Sequence, residues 1–119
     1  MEKDLVCTFI EILSQLKVLH WQTESFARHM AYDRIYEALG DHVDGFIEAY
    51  QGRYKRIRVV CQPKILNIND DINAFVDEII DFLTNGIFSY ISEEAVDLLA
   101  IRDEMVKELN TLKYLLTLK

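Results

Sequence analysis

The chain has 119 residues, a formal net charge of −7 and 50% apolar residues. That length suits one domain, residues 1–119, around one core, and the acidic balance disfavours sequence-independent attraction to phosphate backbones. Cys7 and Cys61 match no CxxC pattern and are too few for a disulfide framework, so they read as ordinary buried thiols in a reducing compartment. No stretch approaches the ~18 apolar residues of a membrane span, and the Met-Glu-Lys-Asp start lacks the basic and apolar regions of a signal peptide. A soluble, cytoplasmic protein is expected.

One Pro and four Gly leave little punctuation for a many-turned β fold, and the abundance of Leu, Ile, Glu, Asp and Lys favours long helices. From Lys3 to Trp21, the positions Leu5, Phe9, Ile12, Leu13, Leu16 and Leu19 follow the spacing of one helical face. Trp21 reads as a core residue. Thr23 can cap a second helix, whose stripe runs through Phe26, Tyr32, Ile35, Leu39, Val43, Phe46 and Tyr50 until Gly52 offers a stop. The short turn around Gln22 to Glu24 makes these two helices antiparallel neighbours.

Residues Arg53 to Asn69 carry Pro63 and a β-branched run, Ile57, Val59 and Val60, with no second strand to pair with, and read as a long connection. Asn69 or Asp70 can cap a third helix bearing Ile72, Phe75, Val76, Ile79, Ile80 and Leu83, which Asn85-Gly86 ends or interrupts. Ser92, followed by Glu93 and Glu94, starts a fourth with Val96, Leu99, Met105, Leu109, Leu112 and Leu116. Two antiparallel hairpins joined by one long crossover result, the pattern of ferritin-like four-helix bundles and of some other bundles.

The second helix carries an ionisable band. With His29 at zero and about 100° per residue, Asp33 falls near roughly 40°, Asp44 near roughly 60° and Glu48 near roughly 100°. The apolar stripe centres near roughly 280°, so the band lies beside the core and could face a partner subunit. His42, near roughly 220°, lies off the band. His20, at the end of the first helix, comes toward His29 and Asp33 in an antiparallel hairpin. Two clusters follow: His20, His29 and Asp33, and, about two to three turns on, Asp44 and Glu48. Two copies paired antiparallel would bring the first cluster of one to the second of the other, a mixed imidazole and carboxylate set suited to iron or manganese. Spacing alone leaves a second reading open, because His and i,i+4 carboxylates are commonplace on a solvated helix face.

The stretch Lys17-Val-Leu-His20-Trp21, then Phe26-Ala-Arg-His29, Asp33, Tyr36, Asp44 and Glu48, resembles the miniferritins of the Dps family. In that family a His-Trp pair closes the first helix, a His-x-x-x-Asp pair opens the second, and an Asp-x-x-x-Glu pair begins fifteen residues after that His, as here. The resemblance covers roughly residues 17 to 52. It implies a ferritin-like fold and a di-iron ferroxidase site between two subunits, with His20, His29 and Asp33 from one and Asp44 and Glu48 from the other. Glu48 would bridge two Fe(II) ions, and O2 or H2O2 would take their electrons. Manganese or zinc could replace iron.

The interval between His20 and His29 is shorter than in typical miniferritins, and Gln22-Thr23-Glu24-Ser25 lacks the family's glycine turn. The crossover has no clear room for the family's extra short helix. No basic tail of the sort some members use on DNA is present, so nucleic-acid binding is not expected, and Arg53, Lys55, Arg56 and Arg58 read as a solvated connection or subunit contact. The shortened form is similar to small proteins of phages and large viruses, which would place it in a host cytoplasm. The rival expectation is a non-catalytic structural or interaction protein that keeps the miniferritin fold and dimer face. Asp77, Glu78, Asp81 and Glu104 remain as candidate ligands from the later helices, although such residues are usually solvated.

Overall fold

A computed structural model describes residues 2–58, 61–68 and 71–119, with side chains from Leu5 onward. The architecture is all-α. Helix α1 spans Glu2–Gln22, α2 Phe26–Arg53, α3 Ile72–Thr84 and α4 Val96–Leu115, with a short 3-10 helix at Gly86–Ser89, and the described residues contain no strand. The 28 residues of α2 span about 42 Å at 1.5 Å per residue, which matches the 43 Å long axis of the molecule. It therefore runs the whole length of the fold. It packs against α1 on one side and α4 on the other, and α3 packs against α4.

The buried stripe of α2, from Tyr32 through Ile35, Leu39, Val43 and Phe46 to Tyr50, is the one its periodicity predicts. Leu5, Phe9, Ile12, Leu16 and Leu19 of α1 meet it, and Val76, Ile79, Leu83, Leu98, Met105, Leu109 and Leu112 complete one core. The Phe9 ring stands edge-on to Phe46 and Phe82, at centroid distances of 5.4 and 5.8 Å, and so ties α1 to α2 and α3.

Helical phase overrides residue type at three positions expected among the apolar faces. Trp21 is 68% exposed, Phe26 77% and Val96 70%. Trp21 lies about 150° from the middle of α1's buried stripe, and Val96 about 160° from Leu98 on α4. Phe26, on the ionisable band, lies about 140° from the middle of α2's stripe. Cys7 and Cys61 are half-buried thiols, not fully buried ones.

The caps also shift. Ser25, not Thr23, caps α2: its Oγ accepts from Arg28 N at 3.2 Å, while Thr23 still hydrogen-bonds back to Leu19 and turns its hydroxyl toward Ser25 N. Helix α2 passes Gly52 and ends at Arg53, with Tyr54 as the C-cap. Asp71 caps α3 by accepting from Ala74 N at 3.0 Å. Asn69 and Asp70 lie outside the described residues, as do Val59 and Val60. Ser92 forms a local turn by accepting from Glu94 N, so α4 begins only at Val96, after the buried Ala95. A Cβ on Gly86 would meet the Phe82 ring at 3.2 Å, so the glycine lets the 3-10 helix close onto α3.

The crossover is held to α1 by side chains that imitate a β ladder. Gln15 is 4% exposed, and its amide donates to Leu66 O and accepts from Leu66 N, both at 2.8 Å. One turn earlier, Glu11 accepts from Lys64 N at 3.0 Å. An extended segment with no strand partner thereby satisfies part of its backbone. Its described part contains no helix, as the shortness of this segment leads one to expect.

Candidate metal centre

The three-residue turn between α1 and α2 brings the last residues of one helix beside the first of the next, and it pairs His20 with His29 reciprocally. His20 Nδ1 lies 2.7 Å from His29 O, and His29 Nδ1 lies 2.8 Å from His20 O. A carbonyl oxygen only accepts, so each Nδ1 carries the proton and donates it. In each neutral ring the lone pair then sits on Nε2. The rings stack with centroids 3.8 Å apart and planes 20° from parallel. Locking Nδ1–H on a carbonyl is how metal-binding histidines are oriented, with Nε2 presented to the ion.

Asp33, one turn along α2, joins this pair. Its Oδ1 lies 3.9 Å from His20 Nε2 and 3.5 Å from Lys17 Nζ. Lys17 also stands over the Tyr36 ring at 4.8 Å and the Trp21 ring at 5.8 Å. Lys17 belongs to the His-Trp motif, but no periodicity argument singles it out. It sits three residues before His20, and only the hairpin brings it to Asp33.

Asp44 and Glu48 share the face of Asp33 but not its neighbourhood. Eleven residues separate Asp33 from Asp44, which is about 16 Å along the helix. Both carboxylates are exposed, and neither takes a hydrogen bond or ion pair from a described residue. Among the described residues, no three His, Cys, Asp or Glu side chains within the chain form a group able to hold a metal ion. The donor types suit iron, but the described residues of one chain gather no complete ligand set.

The remaining candidates lie elsewhere. Asp77 pairs with Lys113 at 2.7 Å, Asp81 accepts from Asn85 Nδ2 at 2.7 Å, Glu104 approaches Lys107 at 4.0 Å, and Glu78 is exposed on α3. His42 lies off the band, 3.9 Å from Glu108 of α4. Arg53 donates from Nε and Nη2 to Asp97 Oδ1 at 3.2 and 2.9 Å, and this pairing holds the Asp97 carboxyl below its ordinary range. Burial raises the Tyr32 hydroxyl pKa, partly opposed by the charge of Arg28 and a hydrogen bond from it.

Two further features accompany the band. Trp21, Phe26 and Met30, all within a few residues of the imidazole pair, are exposed apolar side chains, with the Phe26 ring stacked toward His29 at 6.4 Å. Gly40 lies on the band at roughly 20°, and nothing stands within 4 Å of where its Cβ would be. A mid-helix glycine costs up to about 1 kcal/mol relative to Ala, and no contact within the chain requires it.

No described helix is long and apolar enough to cross a membrane. The chain is similar to a protein described as an uncharacterized 14.6 kDa protein in the mobD-ri intergenic region of Enterobacteria phage T4, with 36% identity over 69 residues. The match covers 58% of this chain and 53% of the relative, so the chain spans about half the length of the curated relative it matches. No solved structure matches the chain. A family model matches residues 20–116, a stretch that contains all five candidate ligands, and the chain belongs to that family, DUF5856, a family of unknown function.

Proposed function

We propose that two copies of this chain pair antiparallel through the α2 band and form a miniferritin-like di-iron site that oxidises Fe(II), within a ferritin-like bundle. The observation that carries this reading is the reciprocal hydrogen bonding of His20 and His29, which leaves both Nε2 atoms free of the carbonyls and sets that of His20 3.9 Å from Asp33 Oδ1. The register is compatible with it, because any two i,i+4 pairs on one helix meet each other under antiparallel pairing. His29 with Glu48 and Asp33 with Asp44 share one midpoint on α2, between Ala38 and Leu39, adjacent to Gly40. A two-fold axis there places His29 opposite the partner's Glu48 and Asp33 opposite the partner's Asp44. It also puts the bare Gly40 backbones at the crossing, where helices approach most closely.

In such a pair His20, His29 and Asp33 hold Fe(II) from one side, and Asp44 and Glu48 of the other copy close the site. Imidazole retains Fe(II), and carboxylates favour the harder Fe(III) product. The Fe(II) substrate gives one electron per ion, so two Fe(II), one H2O2 and two protons yield two Fe(III) and two waters. O2 is the other oxidant considered. The apolar patch of Trp21, Phe26 and Met30 would be covered by the partner and would keep water from the imidazole end. The phage relative supports a setting in the cytoplasm of an infected host.

The competing reading is a non-catalytic structural or interaction protein with the same bundle. It is favoured by the incomplete ligand set of the single chain. Anaerobic Fe(II) titration of the metal-free protein, followed by O2 or H2O2, separates the two. Two irons per site with fast growth of ferric absorbance are expected, whereas no iron binding would establish the structural protein.

A further inference from the structure

We infer that Lys17 is a tethered cation that occupies the imidazole half of the site until a metal ion displaces it, and that the rings of Tyr36 and Trp21 are where its ammonium retreats. This inference rests on the metal-site reading above. Four distances carry it. Lys17 Nζ and His20 Nε2 approach the same oxygen, Asp33 Oδ1, at 3.5 and 3.9 Å. An ion bound by His20 Nε2 and Oδ1, the Asp33 oxygen that faces it, takes the oxygen that the ammonium approaches. The same ammonium already lies 4.8 Å from the Tyr36 centroid and 5.8 Å from that of Trp21.

Metal–ligand distances near 2 Å leave no room for an ammonium between the ion and its carboxylate, and two cations that close repel. The exchange is therefore cation for cation. Lys17 has a flexible four-carbon stem, so its head group can leave Asp33 while its root stays on α1. Aromatic faces attract a cation and offer it a second position without a carboxylate. Before metal arrives, the proposed pair concentrates Asp33 with the partner's Asp44 and Glu48, and Lys17 offsets part of that repulsion. The residue thus sets both the stability of the empty pair and the threshold for loading.

The test is calorimetric titration of the metal-free protein with Zn(II) and with Mn(II), without oxidant, in wild type, Lys17→Met, Lys17→Gln and Lys17→Arg. Lys17→Met and Lys17→Gln are expected to bind about tenfold more tightly than wild type. Lys17→Arg, which keeps the charge, should stay within about twofold of wild type. Circular dichroism checks the fold of each variant, and two neutral replacements guard against one that folds poorly. The single Trp, Trp21, supplies a readout independent of iron oxidation. Zn(II) should change its emission in wild type, by moving the ammonium onto the indole, more than in Lys17→Met. Unchanged or weaker affinity in both neutral variants overturns the exchange and leaves the metal-site reading standing. An emission change as large in Lys17→Met as in wild type overturns the aromatic retreat. Absence of binding in all four proteins overturns this inference and the metal-site reading together.

Discussion

The two halves of the α2 band lie on one face, yet the chain treats them differently. At the N-terminal half, two stacked imidazoles lock each other through backbone carbonyls, and Lys17 neutralises the neighbouring carboxylate. At the C-terminal half, Asp44 and Glu48 stand exposed with no partner among the described residues. The difference shows what a single hairpin can accomplish. Orienting a histidine needs a fixed acceptor a few ångströms away, and a tight turn provides one. Two carboxylates one turn apart repel each other, and the hairpin supplies no counter-charge to them among the described residues.

The largest effect that would sharpen this contrast is on iron oxidation. Replacing Asp44 and Glu48 together by Ala should slow rapid ferric formation at least about 100-fold, while circular dichroism shows the helices intact, because neither side chain supports the fold. Rapid oxidation in that variant would sink the assignment of the C-terminal half as a ligand set. Next in size is the pairing itself. Gly40→Leu should convert the proposed pair to monomer by light scattering, since the added side chain would occur twice at the proposed crossing and overpacking costs about 1–3 kcal/mol at each. A pair that survives Gly40→Leu would break the antiparallel register.

Stability should then separate the halves in the opposite sense. His20→Ala removes a carbonyl-bound imidazole and leaves His29 O with its helical donor alone, so urea unfolding should show a loss of about 1 kcal/mol. Asp44→Ala should stay within about 0.5 kcal/mol of wild type. Equal losses would mean that the imidazole pair is no better organised than the exposed carboxylates.

The smallest effect concerns the tie that holds the C-terminal end of α2 to α4. Arg53 depresses the folded-state pKa of Asp97 below its unfolded value. Its contribution is therefore complete above the unfolded pKa and is lost as pH falls through the folded one. Asp97→Asn should flatten a shallow part of the acid-side stability profile. An unchanged profile would show that solvent screens the pair entirely.

Much of the fold was legible in the sequence. The stripes of α2 and α3, the antiparallel first hairpin and the unpaired crossover all followed from apolar spacing and turn length, because those patterns depend on local geometry alone. Residue type points a Trp, a Phe and a Val inward, whereas their phases on α1, α2 and α4 turn them away from the core. Thr23 and Ser25 are chemically alike as caps, and only the path of the turn decides which hydroxyl reaches the free N–H of Arg28. Gln15 carries no local signal as one glutamine on a helix, since its role requires a segment that returns fifty-one residues later.

For the candidate site the division is similar. Sequence by itself determined that His29, Asp33, Asp44 and Glu48 share a face, because 100° per residue is a property of any helix. Only the tertiary structure decided that His20 and His29 exchange hydrogen bonds, that Lys17 reaches Asp33, and that Gly40 faces open space. Those facts depend on how closely two helices meet, and spacing along one helix carries no information about its neighbour.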